Sequence, residues 1–229
     1  MKNDLMIFDI IATNNWKRPI YFAITVGDDS YLNLEDYFQL EGMTYRLVPL
    51  RNNSFDGQIG KVNTGIMYKN MMETFKWGGM ENGNVYMDEN NLRMTMNFRN
   101  NFARLADELV NEGKNEQAIK ALDKAMQVMP RSIVPFNFFM LPIANSYFRA
   151  GGNEKGTAII KELAAIYEED LNYYFGLKGE FKKNVDSDMQ QAMSVMQKLV
   201  YIAKSSNQPK LMKDIEARFN KLQSRYTGS

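Results

Sequence analysis

The sequence of 229 residues contains no cysteine and no histidine. Disulfides, thiol nucleophiles, Cys/His zinc sites and imidazole acid–base chemistry are therefore excluded within this chain. Catalysis by the chain would fall to carboxylates, lysine, tyrosine or serine. The missing cysteine leaves the compartment open, and an oxidising one is compatible, since nothing here can be oxidised to a disulfide. Charge of one sign is lacking too: 28 Lys and Arg stand against 27 Asp and Glu, a net +1. That balance argues against an electrostatic nucleic-acid binder and against a polybasic membrane anchor. No apolar run approaches the roughly 18 residues of a membrane-spanning helix. The start, MKNDLMIFDII, has one lysine but then Asn and Asp and no small-residue cleavage site. It does not read as a signal peptide, and it is compatible with a chain that begins inside a longer protein. The glycine-rich pieces GDDS, WGGMENGN and AGGNEKG contain neither GxGxxG after a strand nor GxxxxGK[ST], so nucleotide binding has no motif. No Asp-x-Asp-x-Asp-Gly loop for calcium is present. The sequence implies no cofactor and no metal site.

What is there suits a folded protein: 45% hydrophobic, 24% charged, and 17 methionines for an adaptable core. The pattern changes near residue 90, which predicts a domain over 1–90 and a second over 91–229. In the first, residues 4–12 carry Leu5, Phe8 and Ile11 or Ala12 at helical spacing. Residues 20–26 read as a buried strand after Pro19, residues 32–40 as a short amphipathic helix ended by Gly42, and residues 45–50 as a second strand. Strand, helix, strand in that span predicts a right-handed crossover and a parallel pair. A loop over 51–60, a helix over 62–75 and a loop over 77–84 complete this part.

From residue 91 the period is 3.6. Phe98, Phe102, Leu105 and Leu109 form one stripe, and Gly113 ends that helix. The next helix carries Ala118, Leu122 and Ala125 inward and closes at Pro130. Gly113, Ala118, Leu122, Ala125 and Pro130 fill the five signature positions of a tetratricopeptide hairpin, where small residues let two helices touch. A second, degenerate copy starts from Gly151, with Gly156 and Ile160 in place, Leu163 for the usual alanine and Glu168 for the closing proline. A third helical pair, 188–204 and 209–225, has the shape without the signature, as terminal units often do. Residues 173–184 read as a long loop between helices.

Several constellations have both a functional and a structural reading. Trp16, Lys17 and Arg18 before Pro19 would hold an anionic group with an aromatic stack, or simply form a strand entry. Asp28 and Asp29 follow a strand, where ligands of α/β proteins sit, yet turn chemistry and capping explain the same residues and are favoured. Glu35 with Asp36 and Asp88 with Glu89 are further carboxylate pairs that capping explains. Phe136, Phe138, Phe139, Tyr147, Phe148, Tyr173, Tyr174 and Phe175 would line a peptide groove or fill a core.

Two stretches carry a resemblance: NNWKRPIYFA over 14–23, and Tyr37, Leu40, Glu41, Gly42, Tyr45, Arg46 and Pro49. With the helical hairpin over 113–130, they resemble the C-terminal soluble region of bacterial protein O-mannosyltransferase-like membrane proteins, glycosyltransferase family 117. The resemblance implies that catalysis belongs to a membrane portion outside this sequence, so no catalytic residue carries over. It also implies the periplasmic face of the inner membrane. The expected fold is α+β: a small mixed α/β N-terminal domain followed by an all-helical tetratricopeptide-like array. The expected function is a non-catalytic accessory and interaction domain. Its partners would be a protein or peptide, its own membrane portion, and a lipid phosphate or glycan, with Trp16, Lys17, Arg18, Asp28 and Asp29 as ligand-binding candidates. Two alternatives stand beside it: a carbohydrate-active enzyme using Asp28, Asp29 or Glu41 with Arg18, and a free-standing tetratricopeptide scaffold.

Overall fold

The computed structural model describes residues 2–52, 54 and 56–227. Two compact units form, Met1–Ile133 and Val134–Ser229. Mixed structure gives way to helix at Glu89, but the first compact unit runs on through the next two helices. The chain has the expected α+β character.

The first unit begins with α1 (Lys2–Asn14) and continues through β1 (Ile20–Ala23), β2 (Phe38–Leu40), β3 (Thr44–Leu47), β4 (Lys61–Val62), α2 (Thr64–Lys69), α3 (Glu89–Asn111) and α4 (Asn115–Val128). The strands form one sheet in the order β1-β3-β2-β4. β3 is antiparallel to both β1 and β2, and β2 is parallel to β4. The predicted crossover helix over 32–40 and the parallel pairing of the first two predicted strands are thus overturned. Leu32 and Asn33 both take left-handed backbone, at φ 57° each, which a helix cannot continue. Phe38-Gln39-Leu40 then alternates buried, intermediate, buried, a period of two rather than 3.6. β1 is also not the fully buried strand expected from its composition: it is an edge strand whose Tyr21 and Ala23 are exposed.

One face of the sheet carries an aromatic core of Phe22, Tyr31, Phe38 and Leu47, with Ile20 and Tyr45 against it. Phe38 lies 4.9 Å from Phe22 and 5.5 Å from Tyr45, stacked on the latter, and Tyr31 meets Phe38 edge-on at 5.2 Å. Such pairs add about 0.5–1.5 kcal/mol each beyond burial. α1 covers this core through Ile7 and Ile11, one turn apart. The expected stripe is rotated, since Leu5 (70%) and Phe8 (49%) are exposed. Residues 5–8 are all apolar, so periodicity alone does not choose the inward face.

Arg104 on α3 ties the preceding loop down. Its Nε donates to Asp56 Oδ2 at 2.7 Å, its Nη1 to the Ile59 carbonyl at 2.9 Å and its Nη2 to the Gly60 carbonyl at 2.6 Å. Asn63 caps α2 by accepting the Ile66 N–H at 3.0 Å. Beyond α2 the chain makes a π-helical turn, Asn70–Thr74. α3 and α4 pack as a hairpin around Gly113, whose φ of 75° suits glycine. Phe102, Leu105 and Leu109 of α3 and Ala118, Ala121, Leu122 and Ala125 of α4 are all buried.

The second unit holds α5 (Met140–Arg149), α6 (Asn153–Gly176), α7 (Glu180–Asn184), α8 (Asp186–Ser205) and α9 (Pro209–Thr227). α5 and α6 pair, as do α8 and α9. Gly156 lies against Phe148, whose ring would stand 3.0 Å from an added Cβ. The loop expected over 173–184 is largely helical: α6 runs on to Gly176 and α7 follows. Of the aromatics considered for a groove, Phe136, Tyr147 and Phe148 are buried, while Phe138 and Tyr173 are exposed.

The Arg104 anchor yields a stability prediction. Arg104→Ala removes the guanidinium from Asp56 and the donors of two loop carbonyls, and is expected to cost about 3 kcal/mol in urea denaturation. Desolvation of Asp56 is outweighed by bonds from Ser54, the Gln58 N–H and Arg104, so its carboxyl sits below the usual range. Its stabilising contribution is complete above about pH 4 and lost as pH falls further. Asp56→Asn is expected to flatten that acid limb of the stability curve.

Candidate binding cleft

The strand register builds a polar row on the face opposite the aromatic core. Tyr21 of β1 stands across from Arg46 of β3, which stands across from Gln39 of β2. Glu41, two residues beyond Gln39, falls on the same face. The three side chains converge on its carboxylate: Tyr21 Oη donates to Oε2 at 3.0 Å, Gln39 Nε2 to Oε1 at 2.6 Å, and Arg46 Nη1 approaches Oε1 at 3.5 Å. Glu41 is only 3% exposed. Its main chain is pinned as well, with Asn70 Nδ2 donating to its carbonyl at 2.8 Å and Asn101 Nδ2 to that of Gly42 at 2.8 Å. Gly42 takes φ 132°, and a Cβ there would come within 2.7 Å of the Phe75 ring. Only glycine lets that ring close over the turn.

Beside this row opens a cleft of about 660 Å³, lined by Tyr21, Glu41, Met43, Thr44, Asn70, Phe75, Lys76, Trp77, Met80 and Phe98. Its size and its mostly apolar walls with a few convergent polar groups are those of a ligand site. The π-helical turn delivers Phe75 and Trp77 to one wall, and α3 supplies Phe98. Trp77 stands 6.3 Å from Phe75 and 5.4 Å from Phe102. Its indole N–H is buried with no acceptor among the described residues. The cleft thus offers aromatic faces, one carboxylate fixed in place and the exposed Lys76. Among the described residues no group of three or more acidic side chains is placed to hold a metal ion.

Of the residues singled out from sequence, Glu41 lies in the cleft, and the others lie elsewhere. Asn15 and Trp16 take left-handed backbone, at φ 45° and 59°, and end α1. Asn14 then closes the connection: its Nδ2 donates to the Arg18 carbonyl at 2.6 Å and its Oδ1 accepts the Arg18 N–H at 3.2 Å. This gives residues 16–19 a structural role as the entry to β1, with the Trp16, Lys17 and Arg18 side chains exposed. Asp28 and Asp29 form a 3-10 turn after β1. Asp28 acts electrostatically on Tyr31 and Tyr45, rings of the core face, whereas Glu41 belongs to the opposite face. No hydrogen bond or ion pair joins Trp16, Lys17, Arg18, Asp28 and Asp29 to one another or to Glu41 among the described residues. The cleft residues Tyr21, Asn70, Phe75, Trp77 and Phe98, and Gln39 and Arg46 of the adjoining row, were not among the site candidates. The signal for the row was present as polar residues at alternate positions, Gln39 and Glu41, but a helical reading of 32–40 conceals it.

Burial, then the hydrogen bond to Glu41 and that carboxylate's charge, raise the Tyr21 phenol above its ordinary value near 10. Tyr21 is expected to stay protonated to higher pH than an exposed tyrosine. Glu41→Gln should bring its titration part of the way down, read by NMR of the tyrosine ring carbons in alkaline solution.

No curated protein and no solved structure matches the chain. Residues 1–66 match the family described as TMEM260-associated domain 2. That span takes in α1, the whole sheet and the Tyr21, Gln39, Glu41 and Arg46 row.

Proposed function

We propose that this chain is a non-catalytic accessory and interaction domain of a TMEM260-like, glycosyltransferase-like membrane protein. The observation that carries the reading is the match of residues 1–66 to a domain named for its association with such a protein. The cleft supports a binding role, since its single fixed carboxylate lacks the second carboxyl group that glycoside hydrolysis uses. The α3–α4 and α5–α6 hairpins, with glycine turns and small residues in their seams, support tetratricopeptide-like pairs that hold a protein or peptide partner. The exposed Trp16, Lys17 and Arg18 suit contact with a lipid phosphate, a glycan or the protein's own membrane portion, at the periplasmic face of the inner membrane. No described helix is long and apolar enough to cross a membrane.

Incubated with an aryl glycoside or a lipid-linked sugar, the chain is expected to leave it intact. An unfolded secreted polypeptide is expected to shift its amide NMR spectrum. Sugar turnover that disappears in Glu41→Gln would overturn the non-catalytic reading, and an unchanged spectrum would overturn the interaction reading.

A further inference from the structure

β1 has one neighbour, β3, and the register fixes which of its backbone groups are used. The Ile24 N–H donates to the Met43 carbonyl at 3.4 Å. Bonded and non-bonded pairs alternate along an antiparallel ladder. With Ala23 opposite Thr44 and Tyr21 opposite Arg46, the bonded pairs are Phe22 with Tyr45 and Ile20 with Leu47. The β2–β3 ladder agrees: the Glu41 N–H donates to the Thr44 carbonyl and the Val48 N–H to the Tyr37 carbonyl, so Arg46 turns its backbone toward β2. Tyr21 and Ala23 therefore present their backbone outward. The Ala23 carbonyl accepts the Val26 N–H at 3.1 Å. The Tyr21 N–H, the Tyr21 carbonyl and the Ala23 N–H remain without a partner among the described residues.

These three groups lie beside the cleft, because Tyr21 is both the centre of the open edge and a wall of the cavity. A residue paired directly opposite Tyr21 puts its side chain on the Tyr21 face of the sheet. We propose that an extended polypeptide segment adds to β1 as a fifth strand and places bulky apolar side chains, at alternate positions, in the cleft. The backbone complement of an outward N–H, C=O and N–H is another extended main chain. The walls Met43, Phe75, Trp77, Met80 and Phe98 select aromatic or long aliphatic side chains. The inference rests on the reading of the chain as an interaction domain and moves its peptide site from the helical pairs to the sheet edge.

The probe is a capped heptapeptide alternating phenylalanine and threonine, titrated into the whole chain and followed by amide and indole NMR. The expected result is shifts at Tyr21, Ala23 and the Trp77 indole N–H, with slowed hydrogen exchange at the Tyr21 and Ala23 amides. Methylating alternate backbone nitrogens of the peptide should weaken binding about tenfold or more, as loss of backbone bonds requires. Ala23→Pro removes an outward N–H, in a position where edge strands tolerate proline, and should weaken binding similarly. Equal binding of the methylated peptide, or shifts confined to α3–α9, overturns strand addition while leaving a helical interaction domain standing. No binding of any polypeptide, including the unfolded secreted one, overturns the broader reading as well.

Discussion

Side chains on a strand point to opposite faces in turn, and in this short sheet that alternation separates two environments. Residues 20, 22, 38, 40, 45 and 47 look one way, into packed aromatic rings and the underside of α1. Residues 21, 39, 41 and 46 look the other way, where three donors surround one carboxylate. A one-residue slip of register would send Phe38 and Leu47 into the polar row and Gln39 and Arg46 into the aromatic core. The core fixes the register, and the register assembles the polar row. Stability and the candidate site are consequently set by the same few residues.

Much of what surrounds the cleft is held by side chains reaching main-chain carbonyls. Asn70 and Asn101 grip Glu41 and Gly42 beside it, and elsewhere in the unit Arg104 grips Ile59 and Gly60 in the same way. Irregular segments have no ladder of their own to satisfy these carbonyls. Side chains from the helical region supply the donors and so convert loops into walls of defined position. This division of labour lets a cleft be built mostly from non-helical chain beside an otherwise helical unit. It also explains polar residues such as Asn101 and Arg104 on a buried helix face.

Most of the helical part of the chain was legible because amphipathic period and punctuation agree there, residues 173–184 excepted. Leu105, Leu109, Ala118 and Leu122 occupy the seam that their spacing implies, and Gly113 turns where only glycine turns cheaply. The sheet was less legible. Residues 32–40 contain Leu32, Leu34, Phe38 and Leu40, which fit helical spacing as well as a loop leading into an alternating strand. The left-handed pair Leu32-Asn33, which decides between them, has no signature in a leucine. The cleft was hidden for a related reason. Its walls come from a strand, a hairpin turn, a loop and a helix separated by up to 77 positions, Tyr21 to Phe98, and no local pattern announces such convergence. Trp16, Lys17 and Arg18 drew attention through residue type, while Asn14, which shapes that connection, is chemically quiet.

The π-helical turn at Asn70–Thr74 gives this region an unusual sensitivity to length. A π turn holds one residue more than the α-helical turn it replaces, and the surplus rotates everything downstream by about 100°. Phe75 and Trp77 reach the cavity wall with that offset included. Removal of a single amino acid here would let the helix relax to regular geometry and carry both rings away, with every wall residue still encoded. Surface loops commonly absorb gaps and insertions. In this segment the count of residues is itself part of the binding surface, so shortening by one position is a larger change than replacing almost any one of them.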